Sequence, residues 1–128
     1  MEIFDFDRDE RRVTHYGSSG VHATRVAAGD GGPVQLTHLK VTPGGIIGTH
    51  TAPSPQAFLM ISGSGWIAGP DGVRTPLTAG QGVRWDQGEP HTSGTDTGFT
   101  ALAVEGPPLT LFAPDPGPDP EGRSSRRG

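Results

Sequence analysis

Glycine and proline punctuate this chain too densely for a long helix to form in it. Its 128 residues include 21 glycines and 13 prolines, and over most of the length these stand singly or in small clusters between short apolar runs. Inside a helix a glycine costs roughly 1 kcal/mol and a proline about 3 kcal/mol relative to alanine. In turns both residues are favoured, because glycine supplies positive φ and proline pre-sets φ near −65°. Short apolar runs separated by turn residues predict an all-β domain, a closed barrel or a jelly-roll-like double sheet.

The runs can be placed one by one. Strands are expected at 21–26 (VHATRV), 34–42 (VQLTHLKVT), 57–61 (AFLMI), 66–68, 73–77, 82–85, 98–104 (GFTALAV) and 109–112. Gly69-Pro70-Asp71-Gly72 reads as a hairpin, since Asp-Gly accepts the positive φ that a tight turn requires. Gly63-Ser64-Gly65 is expected to turn the chain, and residues 46–55, with two prolines and His50, are expected to form a loop. In residues 1–16, Phe4 and Phe6 alternate with Asp5 and Asp7, as an edge strand or a dimer arm would. The barrel is expected over residues 17–113. Residues 114–128 (PDPGPDPEGRSSRRG) contain four prolines and no large apolar side chain, which predicts a disordered tail.

Composition narrows the function classes. There is no cysteine, so disulfides, thiolate metal sites and cysteine nucleophiles are excluded. No apolar stretch reaches the ~18 residues of a membrane-spanning helix, and the charged start MEIFDFDRDERR lacks the apolar run of a signal peptide. These features predict a cytoplasmic protein that does not bind membranes. A net charge of −4 without a basic stripe speaks against nucleic-acid binding. Leu, Ile, Val and Phe together number 25, a thin core for one domain, and a second subunit would bury more apolar surface. A homodimer is therefore expected.

Of five histidines, His15 and His22 read as surface residues, and strand parity leaves His38 facing either way. His50 and His91 stand in fuller patterns: Gly44, five residues, His50-x-Ala52, three residues, Gln56, six residues, Gly63; and Gly80, five residues, Asp86-x-Gly88, two residues, His91, three residues, Thr95. In these residues the chain resembles the cupin superfamily of small β-barrels. The glycines at 44, 63, 80 and 88 and the histidines at 50 and 91 fall at the offsets of the two cupin motifs. Four positions depart: Ala52 stands for a histidine, Gln56 for a glutamate, Asp86 for a proline and Thr95 for an asparagine.

The resemblance implies a pocket where His50 and His91 meet, with both as candidate catalytic residues. It also implies a divalent metal (Mn, Fe, Ni or Zn) on His50, Gln56 and His91. With Ala52 and Gln56 at two ligand positions, a site without metal is the open alternative, because cation selectivity depends on ligand number and type. Phe58, Met60, Trp66 and Trp85 are candidates for an apolar wall around an organic ligand, and Arg84 for neutralising an anion. Asp86 and Glu89 flank His91 and are candidates for orienting it. The functions implied are isomerase, cyclase, lyase or dioxygenase chemistry on a small oxygen-rich or anionic molecule. The alternative is a barrel that binds a small ligand, as a sensor, without turnover.

Overall fold

The computed structural model describes residues 1–8 and 11–112, so the tail expected at 114–128 lies outside the described residues. Twelve strands are present among them: β1 (Glu2–Asp5), β2 (Arg11–Val13), β3 (Val21–Ala23), β4 (Ala27–Gly29), β5 (Gln35–Val41), β6 (Ile46–Thr51), β7 (Gln56–Ala68), β8 (Arg74–Thr78), β9 (Gln81–Trp85), β10 (Pro90–Gly94), β11 (Phe99–Glu105) and β12 (Leu109–Leu111). The only helical element among these residues is a single 3₁₀ turn at His15–Gly17.

Strand β7 organises the molecule. Its first half lies between β9 and β11 in a sheet ordered β1-β9-β7-β11-β5. Its second half lies between β8 and β10 in a sheet ordered β8-β7-β10-β6. All these pairings are antiparallel, and one thirteen-residue strand serves both sheets. The hinge is a bulge: against β11, Ser62 pairs with Thr100 and Met60 with Ala101, leaving Ile61 over. An extra residue bends a strand and increases its twist, which carries β7 round from one sheet to the other. Gly63 follows, at φ +81°.

The expected turn at Gly63–Gly65 is thus a bend within a continuous strand. Its glycines are there for close approach: a Cβ at Gly63 would run into the carbonyl oxygen of Gly98, and one at Gly65 into that of Gly94. The loop expected at 46–55 is replaced over most of its length by β6. Its partner β10 supplies the backbone bonds that this stretch does not provide for itself, pairing His91 with His50 and Gly94 with Ile46.

The space between the sheets is filled by alternation. Phe99, Ala101 and Ala103 from β11, Val83 and Trp85 from β9, and Phe58 and Met60 from β7 are all buried. Phe58 and Phe99 meet edge to face, with ring centroids 5.8 Å apart, a geometry worth about 0.5–1.5 kcal/mol beyond area burial. His38 and Lys40 fall on the exposed parity of β5, which settles that His38 is not a pocket residue.

Thr95 acts as a clamp just after β10. Its buried hydroxyl donates to the Ser64 carbonyl at 2.7 Å and accepts from the Gly98 N–H at 2.8 Å and the Thr97 N–H at 3.2 Å. Thr95→Val keeps the shape and strips these partners. Leaving buried polar groups unpaired costs about 1–3 kcal/mol, so urea denaturation should show a loss in that range, with Thr95→Ser recovering most of it.

Candidate functional site

The two histidines that the sequence separates by 41 residues face each other directly, because β6 and β10 pair antiparallel in that register. Their ring centroids are 4.3 Å apart, inclined at 61°. His91 is buried, whereas His50 is exposed at the mouth. The indole of Trp85 stacks on the His91 ring, 4.6 Å between centroids and 14° between planes.

Hydrogen bonds set the tautomers. His50 Nδ1 lies 2.8 Å from the Gly48 carbonyl oxygen, and His91 Nδ1 lies 3.1 Å from the Glu89 carbonyl oxygen. A carbonyl can only accept, so Nδ1 of each ring is the donor. In the neutral ring this makes Nε2 an unprotonated acceptor. Burial pushes the His91 pKa below its ordinary value, and the neighbouring His50 adds to this. The Glu89 carbonyl and the charges of Glu89 and Glu105 oppose the shift without reversing it. His91 is therefore a neutral base near neutral pH.

A cavity of about 210 Å³ opens beside this pair, between the two sheets. Its apolar wall consists of Leu39, Ile47, Phe58, Ile67, Trp85 and Ala103, and its polar groups are Thr37, His50, Gln56, His91, Ser93 and Glu105. It is smaller than the ~300–1,000 Å³ pockets that take drug-sized ligands. The occupant it suits is a compact, mainly apolar molecule with a few polar atoms.

Of the expected site residues, His50, Gln56, Phe58, Trp85 and His91 come together here. Met60 is outside the lining, packed in the buried core. Trp66 lies on the outer face, with its ring covered by the Arg74 guanidinium at 3.8 Å and seated against Gly94. Arg84 also points away, pairing with Glu2 at 3.0 Å and donating to the Leu109 carbonyl at 3.2 Å. One alternation rule explains Arg84: its neighbours Val83 and Trp85 are buried in the barrel, so they fix the parity of β9, although of the two only Trp85 lines the cavity. Asp86 is exposed. The Glu89 carboxylate takes the N-terminal ammonium at 2.9 Å and the Asp86 N–H at 2.9 Å. Burial pulls the Glu89 pKa up, but these two hydrogen bonds and the nearby charges hold it below its ordinary value. It is the backbone carbonyl of Glu89, not its side chain, that orients His91.

Glu105 is not among the expected residues. The expected strand ends at Val104, one position short. Extending the alternation Phe99, Ala101, Ala103 by one further step places residue 105 on the inner face, where the cavity lining includes it.

The donor set can be tested against the divalent metal that the resemblance implies. Ala52 presents a buried methyl group where a ligand would be needed, and Gln56 presents a neutral amide. Among the described residues, no three His, Cys, Asp or Glu side chains converge on a metal-sized point. The two imidazoles and the amide are neutral, and Glu105, although it lines the same cavity, does not converge with them on one point, so a dication would lack the anionic ligand that offsets its desolvation. These residues do not fit a resident metal.

No protein-family model and no curated protein matches the chain significantly. Solved structures do. A cupin 2 conserved barrel domain protein from Salinispora arenicola is 27% identical with TM-score 0.52, over 57% of this chain and 62% of that one. A protein described as a predicted oxalate decarboxylase from Thermotoga maritima is 25% identical with TM-score 0.50, over 60% and 65%. A double-stranded β-helix protein from Klebsiella pneumoniae is 22% identical with TM-score 0.55, over 75% and 89%. The match spans less than two thirds of the Salinispora and Thermotoga chains. No helix among the described residues is long and apolar enough to cross a membrane.

Proposed function

We propose that this cupin-fold chain moves a proton on a small, largely apolar organic molecule bound between its two sheets, with His91 as the base and no metal. The observation that supports this most is the pair of imidazoles 4.3 Å apart beside the cavity, each with Nδ1 committed to a backbone carbonyl. An unprotonated Nε2 on His91, with a second imidazole beside it, suits one chemistry well. His91 takes a proton from a carbon next to a carbonyl, and the same proton returns to the resulting enolate at carbon or oxygen, directly or through His50. Gln56 and Ser93 carry the N–H and O–H donors that can hold the developing oxyanion. Trp85 keeps the His91 ring in place and excludes water from one of its faces. This is isomerase-type chemistry.

Oxalate chemistry is not carried over from the Thermotoga protein. Oxalate is a dianion, whereas among the described residues the cavity lining holds a carboxylate and neither Lys nor Arg.

The test is deuterium exchange into α-hydroxyacetophenone, a compact probe with an acidic CH₂ beside a carbonyl, followed by proton NMR in D₂O. The protein should accelerate the exchange well beyond an equal concentration of free imidazole, and EDTA should leave the rate unchanged. A rate no faster than the imidazole control sinks the proposal, and a rate abolished by EDTA shows that metal is required after all. Saturable binding without exchange would instead identify a ligand-binding barrel.

A further inference from the structure

The cavity has an unanswered charge. Glu105 lies at the end of β11, directly across from Gln56 on β7, and both line the cavity. Its carboxylate makes no hydrogen bond or ion pair with a described residue. The half-buried group therefore faces a space walled by Phe58, Trp85 and aliphatic side chains, with no Lys or Arg partner among the described residues; its charge favours protonation of His91 but does not outweigh the burial of that ring. The other polar groups add to its preference. Nε2 of the neutral His91 ring is an acceptor, and among the described residues no Lys or Arg lines the space.

A pocket rich in acceptors, carrying one carboxylate and an aromatic wall, is complementary to a cation. A protonated amine would supply the hydrogen-bond donors and the positive charge that Glu105 lacks. Aromatic rings such as Trp85 and Phe58 in the lining attract cationic nitrogen wherever a ring face is open to it, and His91 covers one face of Trp85. An anion would meet the Glu105 carboxylate in a confined space of reduced dielectric, where like charges repel strongly.

We infer that the substrate class of this pocket is small molecules carrying a protonated amine on a compact apolar body, with Glu105 as the residue that selects the amine. This rests on the reading of the cavity as the ligand site and reverses the anionic preference that the sequence suggests. It also accounts for the amide at position 56. A glutamate there would stand directly opposite Glu105, and like charges in directly opposite cross-strand positions destabilise a sheet.

The experiment compares three probes of one shape, benzylamine, benzyl alcohol and benzoate, by ligand-observed NMR titration at pH 7.5. Benzylamine should bind roughly tenfold more tightly than benzyl alcohol, since a charge-assisted hydrogen bond is about twice as strong as a neutral one. Benzoate should bind most weakly. Glu105→Gln should abolish the difference between the amine and the alcohol, and Glu105→Asp should retain part of it. Equal binding of amine and alcohol, a preference for benzoate, or an amine preference that survives Glu105→Gln overturns the assignment while leaving the pocket as the ligand site. If none of the three probes binds, the pocket reading falls along with it.

Discussion

Gly63→Ala should cost the barrel about 2–5 kcal/mol, seen as a lower urea midpoint at unchanged slope. Two effects add. An L side chain in left-handed backbone costs roughly 1–2 kcal/mol, and Gly63 sits at φ +81°. The new methyl would also meet the Gly98 carbonyl oxygen and lie 2.9 Å from the Phe99 Cα. These are backbone atoms and cannot swing aside as a flexible side chain would, so β7 and β11 must part where the two sheets join. Forcing a methyl into a packed site costs about 1–3 kcal/mol. Gly48→Ala is the control. Gly48 lies in a strand without positive φ, and no atom comes within 4 Å of the place an added methyl would take. Alanine there should be neutral or slightly stabilising. Equal effects at the two positions would remove β7's bend from the account of the fold.

His91→Phe should slow the deuterium exchange by about 10²–10⁴-fold, the range that a positioned general base contributes. Phenylalanine keeps a flat ring against Trp85, so the wall survives while Nε2 is lost. A loss of exchange without a loss of folding would separate the chemistry of His91 from its packing. A variant that exchanges at the parent rate would place the base elsewhere.

The same substitution should change how stability depends on pH, and the sign follows from linkage. Burial lowers the folded-state pKa of His91, so below pH ~6.5 the unfolded chain binds this proton more readily than the native one. Stability from this residue is thus fully present above that pH and is lost as pH falls toward the lowered folded value. Urea midpoints at pH 7.5 and pH 5 should differ less in His91→Phe than in the parent chain. An identical acid loss in both would mean that another group carries it.

Much of the architecture is legible in the sequence because it rests on local rules. Asp71-Gly72 marks a hairpin whatever surrounds it, and the β11 run Phe99 to Val104 alternates as a half-buried strand does. The histidines at 50 and 91 stand out through their spacing to nearby glycines. A glycine pair, by contrast, does not always mean a turn: Gly63 and Gly65 are small because two other strands come close. Residue type alone points Trp66 and Arg84 toward the pocket, and their parity places them outside.

By itself the amino-acid order determined the all-β character, most of the strands, the hairpin at residues 69–72 and the alternation within each strand, since backbone preference and two-residue periodicity are properties of neighbouring positions. Only the tertiary structure decided which face looks inward, that residues 46–51 form a strand, and that Glu105 joins the imidazoles around one cavity. Those outcomes depend on hydrogen bonds and contacts between segments dozens of positions apart, and a partner strand can reverse or override what a short segment would do alone.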